Sequence, residues 1–338
     1  MGELRKPIQI PVLLELIKDN ILDYGNPLGL TGREINKWQN EPALPLTGEI
    51  LFYTGGEYQL LPFLDSLTNA VGHFDIEGRF FSAALGVRNL INKIGVSAEK
   101  IYGKVMSSDE KRYQMIPHKA ARILQGMGLE ICSLAERELY SGALLYEFGY
   151  QAEFKTHAEK LIQLIKGTQA REIVCLSPHS AEMFKYHYPA IDPWCRKLKV
   201  YTFSEYLYGK GERLTIAGGL PQQKVTIHDS CRLVRELGFG AQIRVFLKNK
   251  FPDIEIIEAE NSGSWTVCCG GPGKMMLPAL ANTIAKGRMN ELEQTGAAEV
   301  LTFCPYCLAA LEKGKDPVKS KIIISDIVEF LARGNGYA

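Results

Sequence analysis

Five cysteines in the last third of the chain carry its chemistry: Cys231, the adjacent pair Cys268 and Cys269, and Cys304 with Cys307. Cys231 and Cys268 are separated by 36 residues, Cys269 and Cys304 by 34, and Cys304 and Cys307 by 2. Five thiols are one too many for a tetrahedral zinc and for a four-cysteine cubane, whereas a centre of several iron atoms can use them all. Thiolate is a soft ligand that suits such clusters. Spacing alone says only that the site is sulfur-rich and binds a metal or a cluster. Two other readings stand beside the cluster. One is a structural zinc on four cysteines with a spare thiol. The other is a metal-free redox dithiol at Cys304 and Cys307, which leaves three cysteines unexplained.

The surroundings add chemistry. Cys231 closes the segment HDSC, Cys268 and Cys269 open VCCGGPG, and Cys304 and Cys307 frame FCPYC. Cys231 follows the strand-like KVTI, and Cys304 follows EVLTF, so both stand at carboxyl ends of strands, where α/β sheets place their ligands. Adjacent side chains point apart on regular backbone, so Cys268 and Cys269 can face one centre only from an irregular loop. Gly270, Gly271 and Gly273 supply the backbone angles and let N–H groups approach sulfur. The Pro305-Tyr306 spacer predicts a tight turn. His228 is a candidate for hydrogen bonding or proton transfer at the site, with Asp229 closing the turn. Lys274 could bring positive charge near an anionic centre, and Trp265 could shield it. Cys132, Cys175 and Cys195 stand alone and read as small buried hydrophobes. His118, His157 and His187 read as structural, and His179 would line the first-half counterpart of the site. Trp38 and Trp194 read as packing anchors.

The three cysteine segments resemble the CCG-domain family of iron–sulfur proteins. That family includes the B and D subunits of heterodisulfide reductases and iron–sulfur subunits of glycolate, lactate and anaerobic glycerol-phosphate oxidation systems. The resemblance implies that Cys231, Cys268, Cys269, Cys304 and Cys307 hold one non-cubane 4Fe-4S cluster. It implies an oxidoreductase subunit of a heterodisulfide-reductase-like complex, working in disulfide or thiol redox chemistry or in electron transfer; His228, a titratable side chain just before Cys231, is the candidate catalytic residue by its own chemistry. The alternative is an electron-transfer subunit of a flavin-linked dehydrogenase acting on a 2-hydroxyacid, glycerol 3-phosphate or succinate. A third reading makes the first half, which lacks the ligand cysteines, a docking platform. No G-x-G-x-x-G, Walker loop or G-x-S-x-G occurs, so electrons must come from a partner. The segment NILDYGNPLG resembles the stretch after the ferredoxin-like module of fused family members. This implies a ferredoxin-like iron–sulfur subunit, heterodisulfide reductase C-like, and a flavin subunit as partners.

The elements that position the cysteines recur. REIVCLSPHS around residue 175 aligns with AEVLTFCPYC around residue 302, setting Ser177 opposite Cys304 and Ser180 opposite Cys307. ELYSG aligns with TVCCG, setting Tyr140 and Ser141 opposite Cys268 and Cys269. LFYTGGEY places Gly56 opposite Cys231. The first half therefore keeps the framework of the repeat with all five ligand positions changed. The predicted fold is α/β: two similar repeat domains with mostly parallel sheets, preceded by a short helical segment. The expected boundaries are 1–46 for the arm, 47–195 for the repeat without cluster ligands and 196–338 for the repeat with the site. Strands are predicted at Glu49–Tyr53, Glu172–Leu176, Leu198–Phe203, Lys224–His228, Ile254–Glu258 and Glu299–Phe303. Helices are predicted at Val12–Leu22, Ala158–Ile165, Leu277–Gln294 and Asp326–Arg333.

Composition bounds the rest. The 338 residues are 46% apolar and 23% charged with a net charge of +1, an ordinary globular balance with no pull toward nucleic acid or acidic lipid. No apolar run is long enough to span a bilayer. The N-terminus lacks a cleavage site, and Lys6 breaks the myristoylation pattern of Met1-Gly2. The expected location is the cytoplasm, with membrane association only through partner subunits.

Overall fold

The structure is a computed structural model, and it describes residues 12–40, 43–63, 109–216 and 223–334. The first eleven residues, on which the readings of Met1, Gly2 and Lys6 rest, lie outside the described residues.

Among the described residues, eight short strands form two separate sheets. The first holds β1 (Ile50–Tyr53), β2 (Ile131–Cys132), β3 (Glu172–Cys175) and β4 (Lys199–Thr202) in the order β2-β1-β3-β4. The second holds β5 (Lys224–Ile227), β6 (Glu255–Ile256), β7 (Glu299–Thr302) and β8 (Ile323–Asp326) in the order β6-β5-β7-β8. Every pairing is parallel. The central strands are apolar almost throughout, as parallel strands covered by helices on both faces must be; all four residues of β7 are buried. The fold is thus α/β with two similar repeats, as the alternation of elements predicts.

Register makes the repeat quantitative. Ile50 pairs with Glu172 in the first sheet, and Val225 pairs with Glu299 in the second. Laying these pairs over one another carries Gly56 onto Cys231, Ser177 onto Cys304 and Ser180 onto Cys307. The fourth strands agree, with Thr202 and Asp326 pairing with Cys175 and Thr302. Each also caps the helix that comes after it. Thr202 Oγ1 accepts from Glu205 N at 3.0 Å, and Asp326 Oδ1 accepts from Val328 N at 2.9 Å.

Two details differ from expectation. β4 lies beyond residue 195 yet closes the first sheet, so sheet pairing moves the end of the first repeat past Thr202. Two strands, β2 and β8, escaped the periodicity reading. β2 is only two residues long, and β8 ends in the buried polar pair Ser325 and Asp326. The helices at Val12–Tyr24, Pro278–Gln294 and Ile327–Gly334 lie where predicted. The helix predicted at Ala158–Ile165 runs from Gln151 to Thr168. Phe154, His157, Ala158, Leu161, Ile162 and Ile165 form its buried stripe at three- and four-residue spacing.

The repeats are fastened together. One core cluster contains Phe52 and Val174 of the first sheet with Val225, Ile227, Val300 and Leu301 of the second. Tyr58 donates a 2.5 Å hydrogen bond to Asp326. Arg112 reaches Glu312 at 2.6 Å and Glu329 at 2.7 Å, and Arg232 reaches Glu182 at 2.6 Å and Glu147 at 2.5 Å. Among the described residues no helix is long and apolar enough to cross a membrane.

Candidate metal centre

The carboxyl ends of β5 and β7 deliver three of the cysteines. Cys231 opens a helical turn after β5, with a φ of −55°. Cys304 is the extended residue just before the helix Pro305–Gly314. Pro305 occupies the first helical position, where a missing N–H costs nothing. The expected tight turn at Pro305-Tyr306 is therefore the first turn of a helix, and Cys304 and Cys307 sit at its positive end, which favours thiolate.

Cys268 and Cys269 come from an irregular loop, as their adjacency demands. Gly270 has a φ of +79°, and a Cβ there would fall 2.7 Å from Ala281 O. A Cβ on Gly271 would fall 2.9 Å from Tyr306 O. These glycines let the loop press against the two flanking helices. They also turn backbone donors onto sulfur: Gly270 N lies 3.4 Å from Cys268 Sγ, and Gly271 N lies 3.4 Å from Cys269 Sγ.

The five sulfurs converge. Cys269 Sγ and Cys307 Sγ are 3.4 Å apart. Cys268 hydrogen-bonds to both Cys231 and Cys269, and Cys304 hydrogen-bonds to Cys307. All five are free thiols. Cys269, Cys304 and Cys307 are buried, while Cys231 and Cys268 are partly exposed and form the mouth. Hydrogen bonds from Cys231 and Cys269 hold Cys268 far below the ordinary thiol range. Burial opposes ionisation of Cys304, but bonds from Cys307 and His179 outweigh it and hold Cys304 well below that range too. Cys231, Cys269 and Cys307 are pushed up, chiefly by sharing protons with their neighbours. Five disulfide-free sulfurs, three of them buried and two partly exposed, fit a thiolate-bound metal cluster.

His228 stands at the floor of this set. One of its ring nitrogens lies within 4.8 Å of the sulfurs of both Cys269 and Cys307. Nδ1 accepts from Arg288 Nε at 3.1 Å, so the neutral ring carries its proton on Nε2. Burial, followed by the Arg288 cation, lowers its pKa to about 3. Asp229 has the structural part expected of it. Both carboxylate oxygens accept from Arg244 at 2.8 Å, one accepts from Gly263 N at 2.6 Å, and its carbonyl accepts from Thr266 Oγ1 at 3.0 Å. It thereby ties the loop leading into Cys268 to the end of β5.

Other expectations resolve by position. Trp265 is 83% exposed and so shields nothing. Lys274 is partly exposed on the turn Gly271–Met275. Cys132, Cys175 and Cys195 are buried. Trp38 packs edge-on against Phe52 at 5.7 Å. His157 is buried against Tyr140 O at 2.6 Å, His118 faces Trp38 O at 3.3 Å, and His187 stacks on Tyr146 at 3.9 Å.

The residue that reading the cysteines missed is His179. It comes from the repeat without ligand cysteines, yet hydrogen-bonds to Cys304 and packs on Tyr306 with ring centroids 4.7 Å apart. Tyr140, opposite Cys268 in the alignment, hydrogen-bonds to Tyr306. The repeat alignment was the available signal, since it sets His179 opposite Tyr306. Arg288, buried on the helix face that also carries Ala281, Ala285, Met289 and Leu292, was not singled out in the sequence.

Comparison with known proteins gives this geometry a family. Residues 225–312, which contain all five cysteines, match the cysteine-rich CCG domain. The chain is 29% identical over 237 residues to a probable iron–sulfur-binding oxidoreductase, FadF, of Bacillus subtilis, covering 68% of this chain and 32% of that protein. It is 26% identical over 223 residues to the D subunit of the dihydromethanophenazine:CoB–CoM heterodisulfide reductase of Methanosarcina barkeri, covering 64% of this chain and 54% of that relative. It is 25% identical over 247 residues to the EtfAB:quinone oxidoreductase of Syntrophomonas wolfei, covering 68% and 33%. The chain thus spans between a third and about half of these relatives. Residues 225–312 thus carry the cysteine-rich CCG domain, and the chain is similar to iron–sulfur oxidoreductases that include D subunits of heterodisulfide reductases.

Proposed function

We propose that the chain is an iron–sulfur oxidoreductase subunit in which Cys231, Cys268, Cys269, Cys304 and Cys307 hold one non-cubane 4Fe-4S cluster. The observation that carries this reading is the convergence of five free sulfurs on one buried centre, with Cys269 and Cys307 3.4 Å apart. When bound, such a cluster supplies one electron at a time to a neighbouring acceptor.

The chain's own residues set the conditions. Gly270 and Gly271 N–H groups and His179 donate toward the sulfurs and stabilise negative charge there. Neutral His228 keeps a proton on Nε2 at the floor, oriented by Arg288. Burial of Cys269, Cys304 and Cys307 keeps water away. The partly exposed Cys231 and Cys268 form the side through which a substrate or partner gains access.

Heterodisulfide-type chemistry requires two electrons for each disulfide, so a single cluster needs a second redox centre in a partner. A ferredoxin-like iron–sulfur subunit and a flavin subunit fit that need. An observation favours the second reading, electron relay within a flavin-linked dehydrogenase. Val267 and Leu277, which flank the cysteine loop in sequence, are exposed apolar side chains suited to a partner surface. The test that separates the two is reduction of the loaded protein followed by addition of a small-molecule disulfide. One thiol formed per reduced cluster, two clusters supplying the two electrons that each disulfide takes up with two protons from water, supports disulfide chemistry. Reoxidation only by a partner flavoprotein supports relay.

A further inference from the structure

The first sheet has a second feature, at the end opposite its cysteine-equivalent loops. There the first residues of β1, β3 and β4 open onto a cavity of about 740 Å³. Small-molecule sites commonly measure about 300–1,000 Å³. Six cationic side chains line it: Lys166, Arg171, Lys197, Lys199, Lys210 and Arg213. Two carboxylates, Glu49 and Glu172, oppose them. In a chain whose net charge is only +1, this concavity gathers a local excess of cations.

Some of that charge is already spoken for. Lys166 lies 2.6 Å from Asp192, and Lys199 lies 3.8 Å from Glu172. Arg171, Lys197, Lys210 and Arg213 enter no ion pair among the described residues. Glu172 also accepts from Tyr206 OH at 3.2 Å, which occupies one of its oxygens. Half-buried Trp194 forms part of the same wall, with Lys166 Nζ 5.2 Å from its ring centroid. Asp192 fixes both groups, accepting from Trp194 N at 2.9 Å and from Lys166 Nζ at 2.6 Å.

The second repeat provides an internal control. Glu299 begins β7 as Glu172 begins β3. Glu299 is buried, with Arg333 on one carboxylate oxygen and the Gln223 amide 3.3 Å from the other. The same strand edge is closed by internal partners in one repeat and is open and basic in the other. Topology alone therefore does not produce the cavity.

We propose that this cavity binds a soluble phosphorylated ligand of the nucleotide kind. Arg171, Lys197, Lys210 and Arg213 hold its di- or triphosphate, and Trp194 stacks on its planar heterocycle. Guanidinium groups match phosphate oxygens in pairs, ammonium groups add point charge, and an indole face offers a flat platform. The site is distinct from the metal centre, which lies at the opposite, carboxyl ends of the strands.

The test is calorimetric titration of the intact, cluster-loaded protein with ADP, pyrophosphate and adenosine. ADP is expected to bind more tightly than pyrophosphate, and both more tightly than adenosine, with affinity falling as salt rises. Lys197→Glu combined with Arg213→Glu is expected to weaken ADP binding by about tenfold or more. Lys155→Glu, exposed and outside the cavity wall, is expected to leave it unchanged. Circular dichroism checks the fold, and Arg213→Gln alone serves should the double variant fail to fold. Quenching of tryptophan fluorescence by ADP is expected to disappear in Trp194→Phe. Absence of ADP and pyrophosphate binding at low salt overturns the proposal, as does ADP binding that the charge reversal leaves intact.

Discussion

The two repeats share strand order and register but treat the same place in opposite ways. In the second, the loop after β5 enters a helical turn at Cys231, φ −55°, and the five sulfurs converge beside it. In the first, the loop after β1 passes through Gly56 at φ +67°, where a Cβ would meet Ile35 at 2.8 Å. Glu57 then turns its carboxylate between the two serines that stand for Cys304 and Cys307. Its oxygens accept from Ser177 Oγ at 2.7 Å and from Ser180 Oγ. The first site is therefore occupied by the protein's own carboxylate, and its backbone, too, has departed from the geometry a ligand needs. At the matching position of the second repeat, Arg232 points outward to Glu182 and Glu147 of the first. The repeat without ligand cysteines is thus part of the site: it supplies His179 to Cys304 and Tyr140 to Tyr306.

The sharpest way to test this contrast is to substitute equivalent positions. Cys307→Ser is expected to abolish cluster binding. Ser180→Ala, its counterpart, is expected to leave iron content unchanged at a cost of about 1 kcal/mol for the lost hydrogen bond; iron analysis and denaturant titration check both. Next in size is Arg232→Ala, which removes the guanidinium from Glu147 and Glu182 and leaves them only the imidazoles of His179, 3.6 Å from Glu147, and His187, 3.9 Å from Glu182. With these side chains still partly solvated, a loss of about 1–3 kcal/mol is expected in urea unfolding. Gly56→Cys is expected to cost about 1–2 kcal/mol, because it places a side chain in left-handed backbone, and to recruit no additional iron.

Two smaller effects probe the chemistry of the comparison. Burial raises Glu57 from 4.5 to about 7, against the opposing pull of His179 and its serine partners. Its folded pKa exceeds its unfolded one, so its contribution is full below pH 4.5 and is lost as pH rises through about 7. Glu57→Gln is expected to flatten the stability profile over that window by up to about 1.4 kcal/mol per pH unit. Denaturant midpoints between these pH limits measure it. His179→Ala removes a hydrogen bond that favours negative charge on Cys304. The reduction potential is then expected to fall, on the order of 50 mV for a one-electron couple losing about 1 kcal/mol. A potentiometric titration followed by electron paramagnetic resonance reads it.

Much of this was legible in the sequence because cysteine spacing and strand periodicity are local signals. KVTI, EIVC and EVLT read as strands, and the glycines after Cys269 announced an irregular loop. The repeat alignment anticipated the placement of Gly56, Ser177 and Ser180 that strand register supports. What stayed hidden depends on contacts between distant residues. Nothing local marks Glu57, which folding sets between serines 120 and 123 residues away. Arg288 reached His228 across 60 residues. The two-residue β2 has too little length to show a period, and β4 showed its strand character without revealing which sheet it joins.

The central claim is that only the second repeat holds a metal centre and that all five of its cysteines share it. Anaerobic purification followed by iron and acid-labile sulfide analysis, on the wild-type chain and on Cys268→Ala, tests it most directly. The account predicts about four irons and comparable sulfide per chain, lost in the variant. Stoichiometric zinc without sulfide, or iron retained in full by Cys268→Ala, would contradict it.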